Sequence, residues 1–182
     1  MPAAVYLYFT VGSAPVATTD SDMPFEAFFA RKALHARIAK EAPKSVPIEA
    51  NEANYLGGVQ LYNEHCAVCH GLPLAPRTAI AAGMYPKAPK LFEGKGVTDD
   101  PPGESYWKIA HGIRLTGMPG FSKSLSDAQM WQMAILLANA DRLPASVKAA
   151  LVAPPVSSPP PTSSAPASAT PSSATPPAAE HH

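Results

Sequence analysis

Both cysteines of the chain lie within one four-residue window, and a histidine follows them directly. Residues 64–71 read EHCAVCHG, which places Cys66 and Cys69 three positions apart with His70 next in line. On a helix, positions i and i+3 share a face and position i+4 lies beside them, so two thiols and an imidazole point to one side. This pattern is the signature for covalent attachment of a c-type haem, in which the thiols add to the two vinyl groups and the histidine reaches the iron.

Three other uses of this window fit the sequence less well. A disulfide across two intervening residues would close a very short loop and restrain little of the chain. A thioredoxin-like redox pair needs a βαβ setting, which the sequence does not indicate. A structural zinc site needs four ligands, and the chain has no second pair of cysteines. We therefore predict one haem c attached through Cys66 and Cys69, with His70 as an iron ligand.

The ligand on the opposite side of the iron decides what the haem can do. An open position binds oxygen or peroxide, whereas a filled position favours electron transfer. Among the six methionines, Met118 lies in the segment LTGMPGF, where glycines allow the backbone to approach a flat cofactor and a proline stiffens the loop. We predict Met118 as the sixth ligand.

The rival ligands each have a simpler explanation. Met84 follows the haem motif too closely to reach round the ring easily. Met130 and Met133 belong to a predicted helix, where packing in the core is the default role of methionine. His65 and His111 remain rivals, and each is more readily explained as a surface histidine or as a residue that supports the site from outside.

Helices joined by a long loop should position these residues. Residues 52–70 and 126–143 have helical patterns, and residues 104–113 form a shorter helix after a Pro-Pro-Gly turn. Residues 71–103 are rich in proline and glycine, and loops this long are uncommon unless they wrap something. Because no strand pattern is present, we predict an all-α domain with large loops, whose small core is completed by a buried apolar cofactor.

The segments outside this domain have different compositions. We divide the chain into an apolar leader or truncated membrane-anchor stump (1–20), an amphipathic helix and linker (21–50), the haem domain (51–143) and a tail (144–182). The tail is rich in Pro, Ser and Ala and cannot bury enough apolar surface to order itself. The leader has the aromatic and β-branched residues of a membrane-interface belt, although a plain disordered leader is the alternative.

The helix predicted at residues 24–42 allows two interpretations. Its phenylalanines, Phe25, Phe28 and Phe29, form an apolar stripe, and several arginines and lysines follow them. The helix either packs on the domain through these rings, which we favour, or lies on a membrane surface. The whole chain has 14 Lys and Arg against 14 Asp and Glu, so its net charge gives no case for nucleic-acid binding.

Over residues 53–143 the chain resembles a class I c-type cytochrome. Gly58 and Tyr62 stand eight and four residues before the first cysteine, where the family has a glycine and an aromatic residue on its first helix. The haem motif follows, GMPGF around Met118 matches the axial-methionine loop, and Trp131 lies on a last helix of the kind that crosses the first at the glycine. In this family a side chain at that glycine would push the two helices apart.

The resemblance implies a cytochrome c-like helical domain whose long loops wrap one covalently bound haem, with His70 and Met118 on the iron. It also implies a carbonyl near Pro86 or Pro89 for the second nitrogen of the histidine, propionate donors among Arg77, Trp107 and Arg114, and packing on the ring by Ile109 and Ile113. These residues also have simpler roles, since prolines stiffen loops, isoleucines fill cores and arginines are solvated.

The predicted function is the transfer of single electrons, and we do not expect the protein to be an enzyme. The expected partners are redox proteins, namely a dehydrogenase, a reductase or a terminal oxidase. Because covalent haem attachment takes place outside the bacterial inner membrane, we expect a periplasmic protein with a membrane tether in its full-length form. The alternatives are a peroxidase-like haem enzyme or gas or redox sensor with a labile sixth ligand, and the cytochrome module of a larger complex.

Overall fold

Eight helices make up the part of the chain that the computed structural model describes, which is residues 2–12, 14–93 and 99–153. They are α1 (Pro2–Thr10), α2 (Glu26–Glu41), α3 (Glu52–His65), α4 (Ala67–His70), α5 (Ala79–Gly83), α6 (Pro102–His111), α7 (Asp127–Ala138) and α8 (Ala145–Val152). No strand occurs within these ranges, and the predicted all-α class is confirmed. Most of the predicted tail, residues 154–182, lies outside the described residues.

Helices α3 and α7 cross where α3 carries Gly58. A Cβ atom at this glycine would stand 2.5 Å from the carbonyl oxygen of Gln132 and 3.2 Å from the Cβ of Leu136. Real Cβ atoms do not approach a backbone oxygen so closely, so glycine is what allows the two helix backbones to touch. The structure therefore shows, at this position, the helix crossing that the resemblance implied.

The N-terminus of α7 is fixed by a capping box. The Ser126 hydroxyl accepts from the backbone N–H of Gln129 at 3.4 Å, and the Gln129 side chain accepts from the backbone N–H of Ser126 at 2.9 Å.

Helix α6 packs on α7 through Tyr106 and Trp131, whose rings stack at a centroid distance of 4.3 Å. Helix α7 thus has one neighbour, α3, at its crossing point and another, α6, along its length.

The packed domain does not end at residue 143, where we predicted its boundary. Helix α8 follows, and its Val147 and Leu151 are 0% and 2% exposed. They lie in one core cluster with Tyr55 and Tyr62 of α3. Val147 and Leu151 are spaced four residues apart, which gives the eight-residue helix one apolar face. The tail prediction is wrong for residues 145–152, because a short apolar helix precedes the Pro- and Ser-rich sequence.

Helix α2 packs on the domain, but not through its phenylalanines. Its buried residues are Ile38 and the following Ala42, which are 1% and 5% exposed. The chain then passes over α6 so closely that a Cβ at Gly103 would collide with the Pro43 carbonyl oxygen. The predicted packing through Phe25, Phe28 and Phe29 is therefore wrong, since the C-terminal end of α2 makes the contact instead.

Within the predicted leader, residues 2–10 form a helix, α1, rather than a disordered segment. The apolar side chains of α1 are largely exposed. In the described parts of the chain, none of the helices is both long enough and apolar enough to pass through a bilayer. The predicted membrane anchor at the N-terminus thus stays a prediction.

Candidate haem site

The two thiols lie where one helix ends and the next turn begins. Cys66 closes α3 and has the backbone angles φ −113° and ψ −38°, and its carbonyl oxygen accepts from the N–H groups of Cys69 and His70 at 3.1 and 2.9 Å. Both cysteines are free thiols and half-buried. Burial, with a smaller contribution from the nearby Cys69, raises the pKa of Cys66 to about 12, so this thiol is protonated at neutral pH.

The imidazole of His70 is held by a backbone carbonyl group. Its Nδ1 lies 2.7 Å from the oxygen of Pro89, so of the two prolines we considered the structure uses Pro89 and not Pro86. A carbonyl oxygen can only accept, so Nδ1 donates and the lone pair is left on Nε2. Burial lowers the pKa of His70, although the bond to Pro89 acts in the opposite direction. The ring is therefore fixed in the neutral form that binds a metal through Nε2.

Side chains fasten the loop that carries Pro89. Arg77 donates to the Ala88 carbonyl at 2.7 Å, and Lys90 donates to the Ala75 carbonyl at 3.1 Å. The sequence analysis treated Arg77 as a propionate donor, whereas here the guanidinium group braces the residue before Pro89. The loop also contains the short helix α5, capped by Thr78, which the sequence analysis missed. A five-residue helix without charged residues has no pattern that distinguishes it from a loop.

The segment around Met118 is held, at the methionine and at Phe121, by the backbone of the C-terminal part of α6 and of Ile113 just beyond it. The N–H of Ile113 donates to the Met118 carbonyl at 3.1 Å, and the N–H of Phe121 donates to the Ile109 carbonyl at 2.9 Å. Gly112 has φ +67°, and a Cβ there would lie 2.6 Å from the backbone of Pro119 and Gly120. Glycine is required at this point because the loop folds back directly onto the end of α6.

Met84 lies beside this segment, which the sequence analysis did not foresee. Its terminal methyl group occupies the place where a Cβ of Gly117 would be, so Met84 contacts the residue that precedes Met118. We had set Met84 aside because it follows the haem motif too closely in the sequence. The 71–93 loop nevertheless folds so that Met84 reaches Gly117. The structure thus places a second thioether next to the predicted ligand.

The other residues predicted to contact the haem do not form one group in the structure. Ile109 is 4% exposed and packs with Trp131 in a second core cluster, Ile113 is half-buried and Arg114 is exposed. Trp107 donates its indole N–H to Glu41 of α2 at 3.2 Å, which removes the donor that we assigned to a propionate. Pro86 is exposed and follows a cis peptide bond.

The rival ligands are engaged elsewhere. The ring of His65 packs against Phe121 at a centroid distance of 5.7 Å, and that of His111 packs against Trp107 at 4.9 Å. Met130 and Met133 are 2% and 1% exposed and belong to the core of α7. The Met133 sulfur lies 3.8 Å from that of Cys66, so it packs against the thiol from the core side.

The donor set fits a haem. Two thiols at the motif spacing, a neutral imidazole with its lone pair on Nε2 and a thioether on the Met118 segment are the groups that a c-type haem uses. The family model for the cbb3-type cytochrome c oxidase subunit III matches residues 53–137, which contain every one of these groups. Residues 53–137 form a class I c-type cytochrome domain. No curated protein and no solved structure matches the chain closely enough to count as a relative.

The cytochrome domain accounts for the motif and the fold together. It implies a covalently held haem c and a general role in haem-based electron transfer. When bound, the haem supplies an iron that accepts and releases single electrons. The chain supplies the rest, since Pro89 orients the imidazole, α3 and α4 present the thiols and the end of α6 holds the Met118 segment in place.

Proposed function

We propose that this protein is a mono-haem electron carrier whose iron is held by His70 and Met118. The observation that carries the proposal is that the Met118 segment is bonded to the end of α6 and the residues that follow it, through the Met118 carbonyl oxygen and the Phe121 N–H. A ligand on a braced segment keeps its position when the iron changes charge, which limits the structural change that accompanies electron transfer. The opposite arrangement, a ligand on a loose loop, would favour the sensor or peroxidase-like alternative.

The sixth ligand is tested by optical spectra of the haem-loaded protein, ferric and ferrous, with carbon monoxide added to the ferrous form. We expect the wild type to be low-spin in both states and not to bind carbon monoxide. Met118→Ala should become high-spin and bind it readily. Met84→Ala is the matched control, because it removes the neighbouring thioether and should leave both spectra unchanged.

Two results would contradict this assignment. Ready binding of carbon monoxide by the wild type would mean that the sixth position is open, and the enzyme or sensor alternative would then lead. A high-spin Met84→Ala protein beside a low-spin Met118→Ala protein would transfer the ligand role to Met84.

For the partners, we propose redox proteins of the periplasm or its bounding membrane: a dehydrogenase, a reductase or a terminal oxidase. The matched family is named after an oxidase subunit, which supports the last of these. For the location, we propose the outer side of the inner membrane with an N-terminal tether, because haem is covalently attached there. Fractionation of native cells, with and without alkaline extraction of membranes, tests the location. Rapid mixing of the reduced protein with purified oxidase tests the partner.

A further inference from the structure

Helix α2 turns an unpartnered side away from the domain. Ile38 marks the side that packs, being 1% exposed. At about 100° per residue, Phe29 and Lys40 fall almost opposite Ile38, and Lys32 falls about 60° to one side of that point. All three are exposed. The contact with the domain therefore leaves one continuous face of α2 that the described residues do not cover.

The N-terminal end of this face is aromatic. Phe25, Phe28 and Phe29 are 72%, 60% and 66% exposed. They form one cluster, because the rings of Phe25 and Phe29 lie 6.5 Å apart and those of Phe28 and Phe29 lie 5.3 Å apart, both edge to face. Three adjacent exposed phenylalanines are unusual on a soluble surface and mark a place where something docks.

The rest of the face is basic. Lys32 and Lys40 continue it, whereas Arg31 falls about 20° from Ile38 and therefore on the packed side. The acidic residues of the helix are Glu26 and Glu41. Glu41 belongs to the packed side. Its carboxylate forms an ion pair with Arg37 at 2.5 Å and accepts a hydrogen bond from the indole N–H of Trp107. Glu26 falls about 60° from the point opposite Ile38, at the aromatic end of the outward face, and its carboxylate accepts from the backbone N–H of Met23. The outward face thus joins an aromatic cluster to lysines.

This combination fits the surface of an anionic bilayer better than a second copy of the chain. In a symmetric pair the lysines of both copies would be buried in the interface, and lysine is depleted from protein interfaces. An interfacial helix instead has aromatic residues in the headgroup region and lysines towards the anionic headgroups. The preceding helix α1 supports this, because it exposes further apolar side chains and has no charged residue.

We infer that the exposed face of α2 docks on an anionic lipid surface, with Phe25, Phe28 and Phe29 in the interface and Lys32 and Lys40 at the headgroups. This goes beyond the proposed function and does not rest on it, since the haem takes no part. The cytochrome domain, bound to the other side of α2, is then held directly above the membrane.

The test is co-sedimentation of the full-length haem-loaded protein with phosphatidylcholine vesicles, with and without phosphatidylglycerol. We expect binding that increases with the anionic lipid. Neutralising Lys32→Gln and Lys40→Gln should weaken binding to anionic vesicles about fivefold for each lysine. The pair Phe28→Ser and Phe29→Ser should weaken it about tenfold or more, on both kinds of vesicle. The matched controls are Val152→Ser on α8 and Lys123→Gln in an exposed loop, and both should bind as the wild type does.

Three results would overturn the inference. The first is no binding of the wild type to anionic vesicles. The second is wild-type binding by the phenylalanine pair, which would leave α1 or the tail as the attached segment. The third is a concentration-dependent dimer in the absence of lipid that the phenylalanine pair abolishes, which would make a second copy the occupant of this face.

Discussion

The methyl group of Met84 lies against Gly117, directly before Met118 in the chain. A Cβ at Gly117 would collide with this methyl group and would stand 3.8 Å from the Met84 sulfur. Two segments that are far apart in the sequence, the 71–93 loop and the Met118 segment, thus meet at a glycine. The contact differs in kind from the one at Gly58, where the obstructing atom belongs to the backbone of α7.

This difference predicts a small loss of stability at one glycine and a large loss at the other for the same substitution. Gly117→Ala should cost less than about 1 kcal/mol, because the end of a flexible methionine can move aside. Gly58→Ala should cost about 2–3 kcal/mol even though alanine favours a helix by about 1 kcal/mol, since the two helix backbones must separate. Urea unfolding of the two haem-loaded variants measures both values. Equal losses of stability would show that α3 and α7 do not touch at Gly58.

A second prediction concerns the bracing of His70. Arg77→Gln should lower the free energy of unfolding by about 1–2 kcal/mol, because the bond to the Ala88 carbonyl is lost. The Pro89 carbonyl next to it then bonds less firmly to Nδ1, and a less basic imidazole stabilises the ferric iron less. The reduction potential should therefore rise. Arg114→Gln, at an exposed arginine, is the control and should change neither quantity. An unchanged reduction potential in Arg77→Gln would show that Arg77 does not influence the bond between His70 and the Pro89 carbonyl.

A third prediction concerns the end of the domain. Leu151→Ala should cost about 2–5 kcal/mol, because this residue is 2% exposed and its loss leaves a cavity in the core. Val152→Ala, one residue further on and 53% exposed, should cost less than about 0.5 kcal/mol. Thermal unfolding of the pair measures the difference. If both variants were as stable as the wild type, α8 would not belong to the folded unit and the boundary at residue 143 would stand.

A fourth prediction concerns the attachment of α2. Trp107→Phe keeps the ring but removes the N–H that donates to Glu41, and Gly103→Ala places a Cβ against the Pro43 carbonyl. The first change should weaken the docking of α2 by about 0.5–1 kcal/mol, and the second should weaken it further. Both should appear as faster amide exchange in α2 with little change in α7. Exchange that stays as slow as in the wild type would mean that Ile38 and Ala42 alone hold the helix.

The haem motif was predictable because its chemistry depends on local sequence, whereas the principal crossing was implied by the resemblance to class I c-type cytochromes. The spacing of Cys66, Cys69 and His70 specifies its chemistry, and a glycine in mid-helix needs a reason, which the Gln132 carbonyl provides. The capping box at Ser126 is likewise visible from residues three apart. Such features do not require knowledge of which distant segments meet.

The features that the sequence did not predict depend on the path of loops and on the choice between two helix faces. Helix α2 has phenylalanines at one end and Ile38 and Ala42 at the other, so its pattern does not say which end packs. Pro86 and Pro89 are equivalent in sequence, and only the path of the 71–93 loop selects Pro89. Met84 was set aside because it lies close to the haem motif in the sequence, but separation along the chain does not determine where a folded loop places a side chain.

The crossing of α3 with α7 and α8 has a consequence for the position of the first thiol. Its fully buried side chains, among them Tyr62, Leu136 and Val147, come from helices alone. This helical core also fixes the end of α3, where Cys66 stands. The position of the first thiol is thus set by the packing of helices that are distant in the sequence, and the 71–93 loop adds Leu91 and Phe92 to the same core.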